Sequence, residues 1–148
     1  MTASADPSVN AIDVLKKLPI LKGLSHGDYL KILTLCSSNP LNDGQVLFRE
    51  GDEGASLYVI LSGEITIMIE GRGLVQSLES GETVGEMALV TNMERTATAI
   101  AAKSTLLLEL HPKMLYDLFD QNPRIGYITM KNIASILAER LTKETKKQ

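Results

Sequence analysis

Between Leu41 and Leu110 the chain is cut into short β-rich runs by glycine, asparagine, aspartate and serine. No other feature limits the fold as much. The runs are Gln45-Val46-Leu47-Phe48, Leu57 to Leu61, Ile65 to Ile69, Leu74 to Leu78, Ala97 to Ala101 and Leu106 to Leu110. Between them stand Asn42-Asp43-Gly44, Gly51-Asp52-Glu53-Gly54, Ser62-Gly63 and Gly71-Arg72-Gly73, residue types that suit tight turns. The Gly71-x-Gly73 pair reads as a hairpin turn and not as a dinucleotide signature, because no helical pattern follows it. Six or more short strands at intervals of about ten residues predict a closed or double-sheet antiparallel β architecture.

Helical periodicity brackets this region. Ile12, Leu15 and Leu18 recur every third residue until Pro19 ends the pattern. Ser25 and Asp28 have capping-box spacing, with Asp replacing the usual Glu or Gln. Leu30, Leu33 and Cys36 then mark the expected buried face, Cys36 as a small apolar residue. After His111, Pro112 suits a first helical position, and Met114, Leu115, Leu118 and Phe119 form an apolar stripe. Asn122-Pro123 opens a longer helix toward Lys143, carrying Ile125, Ile128, Ile133, Ile136, Leu137 and Leu141 on one side. The Ile133, Ile136, Leu137 and Leu141 face either pairs two protomers in a homodimer or folds back on its own barrel. The chain reads as one domain over 1–148: helices over about 10–38, β structure over 40–110, and two helices over 112–145.

Composition removes several functions. A chain of 148 residues buries roughly 70% of its unfolded surface, enough for a core without metal or disulfide staples. Its 44% hydrophobic and 22% charged residues suit a globular protein. The longest apolar run is far short of the roughly 20 residues that span a bilayer, so no membrane insertion is expected. No signal-peptide pattern opens the chain, and the single Cys36 suits a reducing compartment; a cytoplasmic location is expected. Fifteen basic against eighteen acidic residues, a net charge of -3, argue against a nucleic-acid partner. The two histidines, His26 and His111, lack a nucleophile or metal partner in sequence, and no HExxH, CxxC, Walker or GxSxG motif is present. Neither enzymatic chemistry nor a metal is expected.

One segment departs from generic β texture: Gly85-Glu86-Met87-Ala88-Leu89-Val90, then Thr91 to Glu94, then Arg95-Thr96-Ala97. Glu86 to Val90 reads as one helical turn whose N-terminus Gly85 leaves uncovered, and exposed amides there attract an anion. Arg95 offers two phosphate oxygens a bidentate partner, while a carboxylate such as Glu86 accepts from a sugar hydroxyl. The segment thus supplies the chemistry for both phosphate and ribose. A surface Glu–Arg pair beside a β-turn is the alternative reading of the spacing.

The segment resembles the phosphate-binding cassette of the cyclic nucleotide-binding domain family, Gly-Glu-x-[Ala/Gly]-Leu followed after a few residues by Arg-[Ser/Thr/Ala]-Ala. Leu47-Phe48-Arg49-Glu50-Gly51-Asp52 and Leu57 to Glu64 are similar to the family's earlier strands and glycine turns. The resemblance implies a mainly β fold, an eight-stranded antiparallel jelly-roll β-barrel with N-terminal helices and two C-terminal helices, the cassette at 84–98. It implies a regulatory module that binds cAMP or cGMP, with cAMP favoured, and signals to an unknown effector protein by closure of the last helix. It assigns the ribose hydroxyl to Glu86 and the cyclic phosphate to Arg95. Backbone around Gly85, Met87, Ala88 and Leu89, and near Thr96 and Ala97, completes the cradle; Gly44, Gly51 and Gly63 form turns. The Thr96 hydroxyl matches one that reads guanine in some members, and Arg140 matches an arginine that reaches the purine from the last helix. Val84 stands where the family often has an aromatic residue, and Glu94, before Arg95, is expected to face solvent. Other readings are a degenerate fold used for protein contacts without nucleotide, a piece of a larger regulator, a catabolite-activator-type transcription factor, which needs a helix-turn-helix beyond the last helix, and a cupin-like barrel, which needs a metal cluster.

Overall fold

The computed structural model describes residues 10–91 and 94–146. Two short helices come first, α1 (Ala11–Lys17) and α2 (His26–Leu35), joined through a 3-10 turn at Pro19–Leu21. Eight strands follow: β1 (Ser37–Leu41), β2 (Val46–Phe48), β3 (Leu57–Ser62), β4 (Glu64–Ile69), β5 (Gly73–Glu79), β6 (Thr83–Val84), β7 (Thr98–Ala101) and β8 (Thr105–Leu110). The chain ends in α3 (Pro112–Gln121) and α4 (Pro123–Lys146). All six runs read from sequence form strands. The other two were missed because Ser-Ser-Asn-Pro-Leu in β1 has no strand propensity of its own and β6 has only two residues; pairing with β8 and β3 makes them strands.

Pairing is antiparallel throughout, in two four-stranded sheets ordered β1-β8-β3-β6 and β2-β7-β4-β5. This is the double-sheet arrangement, jelly-roll-like in form. Among the described residues no pairing joins the sheets into the closed barrel that the resemblance implied. The interior between them holds Leu41, Tyr58, Ile60 and Leu107 from one sheet and Ile65, Leu78, Ala99 and Ala101 from the other. A second core lies on the opposite face of the first sheet, where Leu57, Val59, Leu61, Leu106, Leu108 and Leu110 meet the helices. The β3 and β8 strands are therefore covered on both faces, which explains why they read as unbroken apolar runs. The one break is Glu109, half-buried at an inward-facing position of β8. At Gly63, between β3 and β4, φ is +100° and a Cβ would lie 2.6 Å from the Thr105 backbone, so only glycine fits the turn.

The capping box of α2 is present, Ser25 accepting from the Asp28 amide and Asp28 from the Ser25 amide. Its buried face differs from the expected one. Tyr29 and Ile32 turn inward and Leu30 is 45% exposed, because the Tyr29 hydroxyl donates to the Leu21 carbonyl at 2.8 Å and fixes the helix's rotation. Cys36 is half-buried against the helical core, and burial pushes its thiol up to about 11. In α3 Leu115 is fully buried, whereas Met114 is 44% exposed. On α4 the chain itself covers most of the face read as a dimer candidate: Ile133 is buried, Ile136 and Leu137 half-buried, and Leu141 exposed.

The first half of α4 is tied to the N-terminal helices. Arg124 donates to both oxygens of the buried Asp28 carboxylate at 2.7 and 2.8 Å, and the Asn132 amide donates to the Ile20 and Lys22 carbonyls. Burial pushes the Asp28 carboxyl up, but the hydrogen bond from Arg124, those within the capping box and the Arg124 charge outweigh it and hold it below its usual value. Its stabilising contribution is therefore complete above the ordinary carboxylate pKa of about 4 and disappears as pH falls through the lower folded value. Arg124→Ala removes the half-exposed partner of a buried carboxylate and is expected to cost about 1–3 kcal/mol at neutral pH. Urea titrations near pH 7 and pH 2 should show that deficit shrinking at the acid end.

Candidate functional site

A cleft of about 820 Å³ opens between the second sheet and the end of α4, lined among others by Glu86, Arg95, Thr96, Ala97, Gln76 and Arg140. Arg95 is the buried charged residue among those lining it, at 8% exposure. Its guanidinium carbon sits 4.2 Å from the centroid of Phe48 (β2) and 5.9 Å from that of Tyr58 (β3), and Nη2 donates to the Ser56 carbonyl at 2.8 Å. Its Nε is buried with no partner among the described residues. The backbone is clamped as well, the Arg95 amide donating to the Asp52 carbonyl at 2.9 Å and the Gly51 amide to the Arg95 carbonyl at 2.8 Å. A guanidinium carries five donors, and this one is held by aromatic faces and a neutral carbonyl. Burial pulls its pKa below the usual value, opposed by the nearby Tyr58, Asp52 and Glu109. The arrangement is a desolvated cation facing a cleft, short of acceptors.

Room for that cation comes from glycine. Gly85 has φ +83°, and a Cβ there would lie 2.6 Å from Arg95 Nη1 and 3.1 Å from the Ser56 carbonyl. A Cβ on Gly54 would approach Arg95 Nε to 2.9 Å. Behind Gly85, Glu86–Leu89 forms a 3-10 turn closed by the Ala88 amide donating to the Gly85 carbonyl at 3.0 Å. That bond uses the Ala88 amide within the turn. Leu89 is fully buried in the helical core, so its side chain anchors the turn and does not face the cleft. Val84, in place of an aromatic residue, is 3% exposed and packed between the sheets.

Glu86 is half-buried at the cleft wall, where Oε2 accepts from the Thr83 hydroxyl at 3.3 Å. Oε1 is 3.3 Å from Nη2 of Arg140, which reaches across from α4. The Glu–Arg pair at the site is thus Glu86–Arg140, and Arg95 is not a surface residue. Thr96 is exposed and Ala97 half-buried in the cleft lining, and Glu94, expected to face solvent, is exposed but lines the cleft too. Met87 falls within the 3-10 turn, while Asn92 and Met93 lie outside the described residues. Sequence reasoning missed Phe48, Ser56 and Thr83. Phe48 and Ser56 lie far from the cassette in the chain, and Thr83 stands in a strand too short to read.

The family model of the cyclic nucleotide-binding domain matches residues 38–122, more than half of the chain. The chain belongs to that family. A cAMP-dependent protein kinase regulatory subunit of Eremothecium gossypii is 38% identical over 89 residues, 60% of this chain and 19% of that protein. The chain therefore spans about a fifth of that relative's length. The N-terminal domain of a transcriptional regulator from Streptomyces coelicolor A3(2) superposes with a TM-score of 0.81 at 26% identity, covering 86% of this chain and 94% of that one. The cAMP-bound PfPKA-R, residues 141–441, superposes with a TM-score of 0.67 at 25% identity, covering 87% of this chain and 45% of that one. Arg140 lies beyond the span matched by the family model. Among the described residues no group of three His, Cys, Asp or Glu is placed to hold a metal, and no helix is long and apolar enough to cross a membrane.

The Arg140–Glu86 pair is exposed enough to add under about 1 kcal/mol to global stability, yet it bridges the far part of α4 to the cassette. Arg140→Ala should leave the urea midpoint unchanged while speeding amide hydrogen exchange in α4 beyond Ile136. Equal exchange in the two proteins would mean that the pair does not hold the helix.

Proposed function

We propose that the cleft binds a cyclic nucleotide, cAMP in preference to cGMP, and that the chain is a non-enzymatic regulatory module read by an effector protein. The observation that carries this reading is the buried Arg95 guanidinium, under-bonded and facing a cleft that is also lined by the Glu86 carboxylate. An anion is the partner such a cation lacks, and a hydroxyl is the partner a carboxylate accepts from. A cyclic phosphate fused to ribose offers both in one rigid group. The Gly85 and Ala97 backbone completes the cradle, with the Met87, Ala88 and Leu89 amides contributing after the turn adjusts. Names of the relatives, one cAMP-dependent and one cAMP-bound, support the choice of ligand. Thr96 is compatible with either base.

Closure follows from the position of Arg140. Without nucleotide it pairs with Glu86; with nucleotide, Glu86 turns to the ribose and Arg140 is released to lie over the purine. The far part of α4 then moves while its first half stays tied by Arg124 and Asn132, and that displacement is the signal. A second copy meeting α4 at the exposed Leu141 is the homodimer this geometry allows, and sedimentation showing only monomer at high micromolar concentration would exclude it. The cytoplasm is the proposed location.

Titration calorimetry with cAMP and cGMP tests the reading. Arg95→Ala should weaken cAMP by about 2–4 kcal/mol, because the phosphate loses its charged partner in a desolvated site. Glu86→Gln should cost less, about 1–2 kcal/mol, as one charge-assisted bond becomes neutral. Arg140→Ala should act through release, raising the dissociation rate in stopped flow with the phosphate contacts intact. Parental affinity in Arg95→Ala would defeat the assignment. Binding of neither nucleotide by the parent would leave the fold as a protein-interaction module.

A further inference from the structure

The β8 strand reads Thr105-Leu106-Leu107-Leu108-Glu109-Leu110 and is buried along nearly its whole length. Leu106, Leu108 and Leu110 face the helices, and Leu107 faces the space between the sheets. Strand alternation puts Glu109 on the Leu107 side, directly opposite Tyr58 on β3. A carboxylate at such a position is costly unless its oxygens are bonded. Here both are: Oε1 accepts from the Asn39 amide at 3.1 Å and Oε2 from the Ser56 hydroxyl at 2.7 Å. Ser56 is itself buried, and its carbonyl receives Arg95 Nη2 at 2.8 Å while standing 3.1 Å from where a Gly85 Cβ would be. The Ser56 peptide is therefore held from one side by Glu109 and presents its carbonyl to the cassette on the other.

We propose that Glu109 is a positioning residue for nucleotide binding: through the Ser56 hydroxyl it fixes the Ser56 carbonyl that aims the Arg95 guanidinium into the cleft. This rests on the reading of the cleft as a cyclic-nucleotide site. The bridge acts by geometry. Glu109 does not line the cleft, and the Ser56 hydroxyl donates to Glu109 from the first residue before β3 while also meeting the Tyr58 hydroxyl. The charge of Glu109 also balances Arg95 across Ser56, and its proximity pushes the Tyr58 hydroxyl up, second to the effect of burial. Without the bridge Ser56, one residue before β3, loses its side-chain tether to β8, and the carbonyl that fixes the guanidinium's direction is held only from the Leu57 side.

The test uses the full chain and cAMP. Ser56→Ala and Glu109→Ala should each weaken cAMP about 5- to 10-fold, the scale of one lost hydrogen bond. The double variant should be no weaker than the weaker single, because both changes break one bridge. Glu109→Gln keeps an acceptor for Ser56 and should recover most of the affinity. In an Arg95→Lys background, Ser56→Ala should change affinity less than twofold. Unchanged affinity in Ser56→Ala overturns the proposal, as do additive losses, no recovery in Glu109→Gln, or an equal loss in the Arg95→Lys background. Should Glu109→Ala fail to fold, Ser56→Ala in the two backgrounds decides alone. If the parent binds neither cAMP nor cGMP, the reading of the cleft fails, which is a different result from a parent that binds and variants that do not differ.

Discussion

Taking a guanidinium out of water costs several kcal/mol, and a carboxylate usually offsets that cost by bonding to it directly. Arg95 is held differently. Phe48 and Tyr58 supply ring faces, Ser56 supplies a carbonyl, and reciprocal backbone bonds through Gly51 and Asp52 fix the loop. These partners stabilise the cation without neutralising it. A carboxylate in contact would have left no field for a ligand anion. The jelly-roll layout serves this arrangement, because β2 and β3 belong to different sheets and their rings meet the guanidinium from two sides. Glycine at 54 and 85 then keeps the remaining space open.

The site is built half on rigid and half on adjustable structure. Tyr58 sits in β3, which is covered on both faces and paired with β6 and β8. That anchoring fixes the guanidinium in advance, which under the proposed function leaves little ordering to be lost on binding. Glu86 opens a single 3-10 turn, with Gly85 just before it, pinned mainly by the buried Leu89. One element fixes the cation and another can shift around it. The same division runs through α4: Arg124 and Asn132 tie its first half to the N-terminal helices, and the part beyond Ile136 meets the cassette through Arg140. A helix anchored at one end and bridged to the cassette at the other is the layout on which the proposed closure rests.

The strands and helix starts that could be read from sequence were those whose signals are local. Alternation with glycine turns gave β2, β3, β4, β5, β7 and β8, and Ser25 with Asp28 gave the start of α2. Glu86 and Arg95, which line one cleft, could be singled out because the cassette is contiguous, and the resemblance pointed to Arg140 on the last helix. Contacts made across the fold carried no local signal. The phase of α2 depends on a hydroxyl reaching Leu21, so Leu30 was misplaced. The rings under Arg95 come from residues 37 and 47 positions away, and spacing alone cannot show that they converge. The partner of Glu86 was likewise invisible, because Arg140 lies 54 residues on and folds back over the cleft.

Glu109 shows where a local irregularity should have been read as a signal. A lone carboxylate inside Leu-Leu-Leu-Glu-Leu breaks the apolar pattern of a strand buried on both faces. Such a break has two physical outcomes: the residue reaches solvent, or its charge is bonded inside at a cost other interactions must offset. In β8 the neighbours on the same face are buried, the opposite residue is Tyr58, and both oxygens find donors. Glu109 leans to the second: it is half-buried, with both oxygens bonded to the protein. Packing alone would be served better by leucine or methionine, which would seal the space between the sheets without desolvating a charge. What an apolar side chain could not do is accept from Ser56 while its backbone pairs with β1 and β3. The cost of partly burying Glu109 is thus tied to the placement of one carbonyl, which accepts from Arg95.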